Sequence, residues 1–411
     1  MRRTFFYGWI VVAVTFAALL VSSGVRTAPS VIIVPLEAAF GWSRAEISLA
    51  VAISLFAFGF GGPIGGSMVD RFGPRRVMIG GLVLTLAGLL PLMGMTEQWQ
   101  LIVFWGLLVG VGTGIVTNVL GATVALRWFN RRRGIVVGLF SAAGAAGQLL
   151  FLPLMIGVAS AFGWPSVFTA LAIATAIVLI PVVLLMRNRP QDMGLQPLGE
   201  ASPATLTADT RRTSLRDAVR TRDFWLLAGS FFICGYTTNG LIGTHLLPHT
   251  IEHGFAEVEI SWALAFMGLM NIVGTLTSGW LSDRYDNRYL LASYYGFRAM
   301  SLAALPFILE MRGMLIFALI YGLDWVATVP PTVNLTANRF GRASLGTIYG
   351  WIFCSHMIGA GIASYAGGLF RDLLGDYHLI FISAAVLGLV AAGLVLKLGK
   401  PQAADTHVAR A

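Results

Sequence analysis

Three ionisable residues interrupt long apolar segments of this chain, namely Arg26, Arg298 and Asp324. If those segments cross a bilayer, each charge costs roughly 2.5 kcal/mol or more and requires a partner or a function. A guanidinium binds a carboxylate through two parallel hydrogen bonds, and these bonds are stronger where the site is partly shielded from water. Arg26 is therefore the best candidate for a substrate-binding residue that holds an anion. The alternative is an arginine that reaches the membrane interface.

Arg298 and Asp324 lie in consecutive apolar segments, and two interpretations of them stay open. One is a buried ion pair between two helices, since each charge otherwise lacks a partner. The other is a role in proton or substrate coupling, with Asp324 taking up the proton.

Two histidines, His245 and His249, lie one helical turn apart on either side of Pro248. Imidazoles at this spacing can bind a metal, respond to protons, or simply lie at a helix interface. No further ligand cluster accompanies them, so we predict neither a metal nor a cofactor. His356 is equally ambiguous.

Other polar residues inside the apolar segments can either orient a substrate or join helices by hydrogen bonds. With Arg26, the candidates for substrate binding are Asn118, Tyr236, Asn239, His245 and Asn334.

The composition requires lipid as the main solvent. The chain is 56% hydrophobic and 11% charged, with a mean hydropathy of +0.77, whereas soluble domains carry about 25% charged residues. We therefore predict an all-α membrane protein with twelve transmembrane helices. The apolar runs are 7–36, 45–68, 77–96, 99–125, 134–159, 164–186, 224–251, 260–281, 289–309, 313–337, 344–368 and 377–398.

The basic residues fall mainly between alternate helices, and the other side of the membrane holds only Arg44, Arg312 and Arg371. This asymmetry predicts that both termini are cytoplasmic and that the protein lies in the inner (plasma) membrane. A basic face toward an anionic leaflet explains the net charge of +9 without a nucleic-acid partner.

The longest polar segment, 187–223, divides the helices into six and six. We predict a first bundle at 1–186, a cytoplasmic linker at 187–223 with a short amphipathic helix opened by Ser214, a second bundle at 224–400 and a tail at 401–411.

An internal repeat relates the two bundles. The stretch with Gly66, Asp70, Arg71 and Arg75 is matched by one with Gly279, Asp283, Arg284 and Arg288. A further match pairs Gly147 with Gly359, an offset of 212 residues. The chain is thus predicted to contain two pseudo-symmetric halves.

These repeated strings, between helices 2 and 3 and between helices 8 and 9, resemble the signature of the major facilitator superfamily. Two stretches resemble its branch of monocarboxylate transporters and oxalate/formate antiporters. They are Tyr7-Gly8-Trp9 and the stretch from Arg127 to Gly147. The resemblance implies the major facilitator fold, alternating access around a central site, and a gating role for the repeated strings.

The sequence departs from animal monocarboxylate transporters in helix 8, where Asn271 and Thr275 replace an aspartate and an arginine. Arg26 then becomes the candidate cation, near the place of a lysine in those relatives. The predicted function is secondary transport of a small organic anion, with a monocarboxylate as the expected class, coupled to protons or to exchange. The alternative is an exporter of apolar or cationic compounds that uses Asp324. We expect a monomer in lipid and no enzyme, since no nucleophile–base set appears.

Overall fold

The computed structural model describes residues 6–129, 132–199, 213–341 and 344–399, apart from the side chains at 66, 67, 70, 118, 119, 133, 134, 141 and 145. The predicted tail at 401–411 and the middle of the linker lie outside the described residues. The described part is helical, and the expected twelve long helices are present. Eleven of them are long and apolar enough to cross a membrane.

The first half contains six of these helices. They are α1 (Gly8–Phe40), α2 (Arg44–Phe72), α3 (Pro74–Leu92), α4 (Gln98–Trp128), α5 (Arg133–Phe162) and α6 (Pro165–Leu185).

The second half contains the other six. They are α7 (Arg222–Glu252), α8 (Glu257–Ser282), α9 (Asn287–Ala304), α10 (Met311–Phe340), α11 (Leu345–Leu374) and α12 (His378–Leu396). The remaining helix, α9, is less apolar than the others and carries Arg288 and the buried Arg298.

Several helix boundaries differ from the predicted runs for local reasons. Helix α1 continues to Phe40 and ends where Gly41 adopts a left-handed conformation and donates its N–H to the Glu37 carbonyl. Helix α9 stops at Ala304, because Pro306 lies in the short 3-10 turn that follows. The predicted linker helix is shorter than expected.

That short helix spans Leu215–Ala218, and Ser214 caps it by accepting a hydrogen bond from the Asp217 N–H at 3.1 Å. Thr221 then accepts from the Phe224 N–H at 3.3 Å and begins α7. The second cap therefore divides the predicted surface helix from the membrane helix.

Helices α4 and α10 are both interrupted near their middles, at equivalent places in the repeat. In α4 the backbone leaves the helical conformation at Val116 and Thr117. In α10 the regular helix stops at Asp324 and resumes at Val329. Carbonyl groups freed at such breaks need new donors inside a membrane. Ser22 of α1 supplies one by donating to the Val116 carbonyl at 3.2 Å.

We call the side where α1 begins the basic side and the other the opposite side. The halves pack closely on the opposite side, where α2 meets α11. A Cβ at Gly368 would overlap Arg44 and Ser48, and one at Gly361 would overlap Phe56.

This α2–α11 contact continues toward the middle of the membrane and includes the aromatic pair Phe58 and Phe353, with ring centroids 6.1 Å apart. Helices α5 and α8 also meet on the opposite side, where Ser160 donates to Glu257 at 2.6 Å. The arrangement is that of two halves closed together on the opposite side.

Candidate substrate site and gates

Arg26 lies on α1 in the interior of the first half, partly buried. Its guanidinium carbon is 4.4 Å from the centroid of the Phe58 ring, a cation–π contact. One terminal nitrogen lies 3.5 Å from the Ser23 hydroxyl oxygen, at the limit of a hydrogen bond. Its Nε is buried and has no partner, and no carboxylate among the described side chains forms an ion pair with Arg26.

A small cavity of about 50 Å³ lies where the halves meet. Its lining includes Thr27, the residue after Arg26 in α1, but not Arg26 itself. It has room for a few water molecules. Most of its walls are apolar, and its polar contributions come from both halves. The polar lining residues are Thr27, Ser30, Gln148 and Asn271.

The predicted polar candidates of α7, Tyr236 and Asn239, lie in a π-helical segment, Tyr236–Ile242. Neither side chain makes a hydrogen bond to a described residue, and both are half-buried. Such segments often occur at functional sites. Asn334 of α10 instead donates to the Ser282 hydroxyl at 2.8 Å, near the basic end of α8. The side chain of Asn118 lies outside the described residues.

Arg298 and Asp324 form an ion pair between α9 and α10, with Nε 2.6 Å from Oδ2. Arg298 is fully buried and Asp324 nearly so. The guanidinium also reaches Cys234 of α7, with one terminal nitrogen 3.0 Å from the sulfur. The Arg298 guanidinium thus connects α9 to both α10 and α7.

The same guanidinium satisfies the break in α10. Its other terminal nitrogen donates to the carbonyls of Asp324 at 2.9 Å and Trp325 at 3.3 Å. The Ser278 hydroxyl donates to the Ala327 carbonyl at 2.5 Å. These bonds provide the donors that an interrupted membrane helix requires.

Of the first predicted gating string, Arg71 and Arg75 have described side chains. Arg71 is exposed, and Arg75 donates to the Val183 carbonyl of α6 at 2.7 Å. The side chain of Asp70 lies outside the described residues, and Gly66 lies within α2. Beside this string an open recess of about 530 Å³ includes Arg71 in its lining.

In the second string, Asp283 is exposed at the end of α8 and Arg284 lies over Trp280, 4.0 Å from its ring. The ion pair belongs to Arg288 and Asp286, at 2.7 Å. The Arg288 guanidinium holds the pKa of Asp286 below its ordinary value. A Cβ at Gly279 would meet no other atom within 4 Å.

A cluster of charged and polar groups joins the halves on the opposite side. Its centre is Arg44, whose side chain is only 4% exposed. Arg44 forms an ion pair with Glu37 of its own half and, at 2.8 Å, with Glu252 of the other half. It also donates to the Tyr377 hydroxyl at 2.5 Å. The Asp372 carboxylate accepts from the main-chain N–H of Arg44 at 3.1 Å. We call Glu37, Arg44, Glu252, Asp372 and Tyr377 the Arg44 cluster.

His245 lies against this cluster and is fully buried. Its Nε2 is 2.7 Å from the Ser364 carbonyl oxygen, and its Nδ1 is 3.3 Å from the Tyr377 hydroxyl. The substrate-binding role of His245 stays a prediction. Both of its hydrogen-bond partners belong to the second half, and Tyr377 connects it to Arg44 of the first half. His249 lies against His253, with ring centroids 4.2 Å apart and the ring planes tilted by 50°.

The Arg44 cluster is a site that the sequence pattern does not predict. One signal was present, because Arg44 and Arg371 are among the few basic residues predicted on that side. Nothing in the sequence indicates that Glu252 of α7 approaches both of these arginines. In the structure its carboxylate lies 2.8 Å from Arg44 and 2.9 Å from Nε of Arg371.

Comparisons with known proteins agree with this architecture. The chain is 28% identical to an uncharacterized MFS-type transporter YcxA of Bacillus subtilis (strain 168), over 97% of each chain. It is 26% identical to monocarboxylate transporter 13 of Bos taurus, over 95% of this chain and 89% of that one. It is 23% identical to the oxalate:formate antiporter of Oxalobacter formigenes, over 96% and 93%.

The fold is also that of solved structures. A bacterial homolog of the human lysosomal transporter Spinster, in an inward-facing and occupied conformation, superposes with a TM-score of 0.74 at 16% identity. The match covers 96% of this chain and 97% of that one. The family model of the Major Facilitator Superfamily matches residues 14–364 and 246–410. The chain is therefore a multi-pass membrane transporter that belongs to the Major Facilitator Superfamily.

Proposed function

We propose that this transporter carries a small organic anion, with a monocarboxylate as the expected class, and that Arg26 binds the anionic group. The observation that supports this proposal is the isolation of Arg26. Arg44 and Arg298 are each paired with a carboxylate, whereas the Arg26 guanidinium faces an aromatic ring and a hydroxyl group. An anion entering from water would supply the missing charge.

The relatives support the same class of substrate. One is named as a monocarboxylate transporter and another as an oxalate:formate antiporter. Both coupling to protons and exchange of one anion for another are compatible with a single binding cation. We further propose that the basic side is cytoplasmic, as the positive-inside rule predicts, and that the membrane is the plasma membrane. The gate closed in this conformation is then the outer one.

The exporter alternative requires an acidic group to bind a cation. Asp324 is the candidate, but one of its oxygens is held by Arg298, so the pair is neutral as a unit. An anion carrier with an unneutralised arginine fits the distribution of charge better.

The test is flux in proteoliposomes that contain the purified full chain. Formate, other short-chain monocarboxylates and oxalate are offered at two pH values. We expect saturable uptake of at least one of them, and its loss in Arg26→Gln. Arg26→Lys should keep part of the activity, because a point charge still attracts a carboxylate but does not bind it in bidentate fashion.

Arg312→Gln is the matched control, since Arg312 lies at the start of α10 on the membrane surface. Carboxylate uptake that is unchanged in Arg26→Gln would exclude Arg26 as the binding cation. Competition by lipophilic cations, abolished by Asp324→Asn, would support the exporter instead.

A further inference from the structure

We propose that His245 is a proton-binding residue of the closed gate, and that protonation of its imidazole separates the two halves on the opposite side. This inference rests on alternating access alone and does not depend on Arg26 or on an anionic substrate.

The hydrogen bonds fix the form of His245 in the closed gate. A carbonyl oxygen only accepts, so the Nε2 that lies 2.7 Å from the Ser364 carbonyl carries a hydrogen. In a neutral imidazole the other nitrogen, Nδ1, is then an acceptor. The Tyr377 hydroxyl, 3.3 Å away, can donate to it.

The Tyr377 hydroxyl has a defined role as well. It accepts a hydrogen bond from Arg44 at 2.5 Å, and its own hydrogen is free to go to His245. The sequence of donors therefore runs from Arg44 through Tyr377 and His245 to the Ser364 carbonyl. Every group in this series is satisfied only when His245 is neutral.

A proton on Nδ1 breaks this series. Both imidazole nitrogens then donate, so the Tyr377 oxygen faces two donors and the Tyr377 hydrogen loses its acceptor at Nδ1. A second positive charge is then also placed near Arg44 at a fully buried position. The closed gate thus selects the neutral imidazole, and the protonated form favours the separated halves, where water can solvate it.

The His245 imidazole is packed closely against a neighbouring helix. A Cβ at Gly367 would lie 2.5 Å from Nε2, so α11 packs directly against the imidazole. The charged and titratable groups that face this region come from four helices and the start of a fifth. Among the described residues they are Glu37, Arg44, His249, Glu252, Arg371, Asp372 and Tyr377.

Carboxylates also lie in this region, and loss of their charge would weaken the ionic contact of Arg44 between the halves. A variant that removes only the imidazole separates the two effects.

The experiment measures the distance between spin labels on the two halves. Cysteines replace the exposed Ala39 of α1 and Ala256 before α8; the native Cys234 and Cys354 are buried. The full chain is held in nanodiscs and examined by double electron–electron resonance from about pH 8 to about pH 5, the range in which histidine titrates. Labels at Ala39 and Thr96, both in the first half, provide the reference distance.

We expect the population with long distances to grow as the pH falls, and the reference distance to stay constant. His245→Gln should remove this growth, because its amide can donate to Ser364 and accept from Tyr377 at any pH. His249→Gln should respond like the unmodified chain. The titration of the unmodified chain needs no variant that could fail to fold, so a constant distance there overturns the proposal. An unchanged response in His245→Gln, or its loss in His249→Gln, also overturns the assignment to His245.

Discussion

The Nε of Arg298 lies 2.6 Å from Oδ2 of Asp324, and the same guanidinium donates to the carbonyls at which α10 is interrupted. The pair therefore does more than neutralise two charges. It supplies donors to a helix break at the position equivalent to the break in α4, where Ser22 plays a similar part. Two different side chains thus satisfy the same need in the two halves.

The first prediction concerns the stability of this pair. Asp324→Asn leaves the fully buried Arg298 without a counter-charge and should destabilise the protein by about 3–5 kcal/mol. The double variant Arg298→Met/Asp324→Leu should recover part of that loss, since it removes both charges. Thermal unfolding of the purified variants in detergent provides the measurement. An Asp324→Asn protein of normal stability that has lost only its proton-dependent transport would instead support a coupling role.

The aromatic ring beneath Arg26 gives a second prediction. Phe58→Leu removes a cation–π contact worth about 0.5–2 kcal/mol, which corresponds to a roughly two- to thirtyfold weaker anion affinity. Phe58→Tyr keeps the ring face and should bind nearly normally. Phe56→Leu is the control, because Phe56 packs against Gly361 of α11. The affinity is read from the rise in melting temperature with added carboxylate; equal affinities in Phe58→Leu and Phe56→Leu would contradict the assigned contact.

A third prediction tests the packing of α8 against α10. A Cβ at Gly274 would overlap the carbonyl of Leu323, just before the break. Gly274→Ala should therefore cost about 1–3 kcal/mol through displacement of the backbone. Gly296→Ala in α9 has open space and should be tolerated. The two melting temperatures are compared directly, and an equal effect at both positions would show that the helices are further apart than described.

The fourth prediction concerns Glu252, which binds Arg44 at 2.8 Å and Arg371 at 2.9 Å. Glu252→Gln removes the ionic contact of Arg44 across the halves, while Glu37 still pairs with Arg44 within the first half. Hydrogen bonds to charged groups contribute about 1.5–3 kcal/mol, so the separated population should increase roughly tenfold or more. The labels at Ala39 and Ala256 report it at constant pH.

Glu259→Gln is the control for this variant, because Glu259 is exposed in the first turn of α8 and forms no ion pair with a described residue. If Glu252→Gln and Glu259→Gln give the same distances, the Arg44 cluster does not hold the gate closed.

Twelve helices, their order and their duplication follow from the sequence alone. The helices are predictable because a lipid bilayer requires long apolar segments that satisfy their own backbone hydrogen bonds. The duplication is evident from matching residues such as Gly147 and Gly359. The sequence also singles out Arg26, Arg298 and Asp324, since any charge in an apolar run is conspicuous.

The partners of these charges follow from the packing of the helices and not from the sequence. Arg298 meets Asp324, Arg26 meets an aromatic ring, and Arg44 meets Glu252, which lies more than two hundred residues further along the chain. Such contacts depend on how helices from the two halves approach each other. Hydropathy defines the length of a helix and says little about which of its faces meets a given neighbour, so the Arg44 cluster follows only from the packing of the helices.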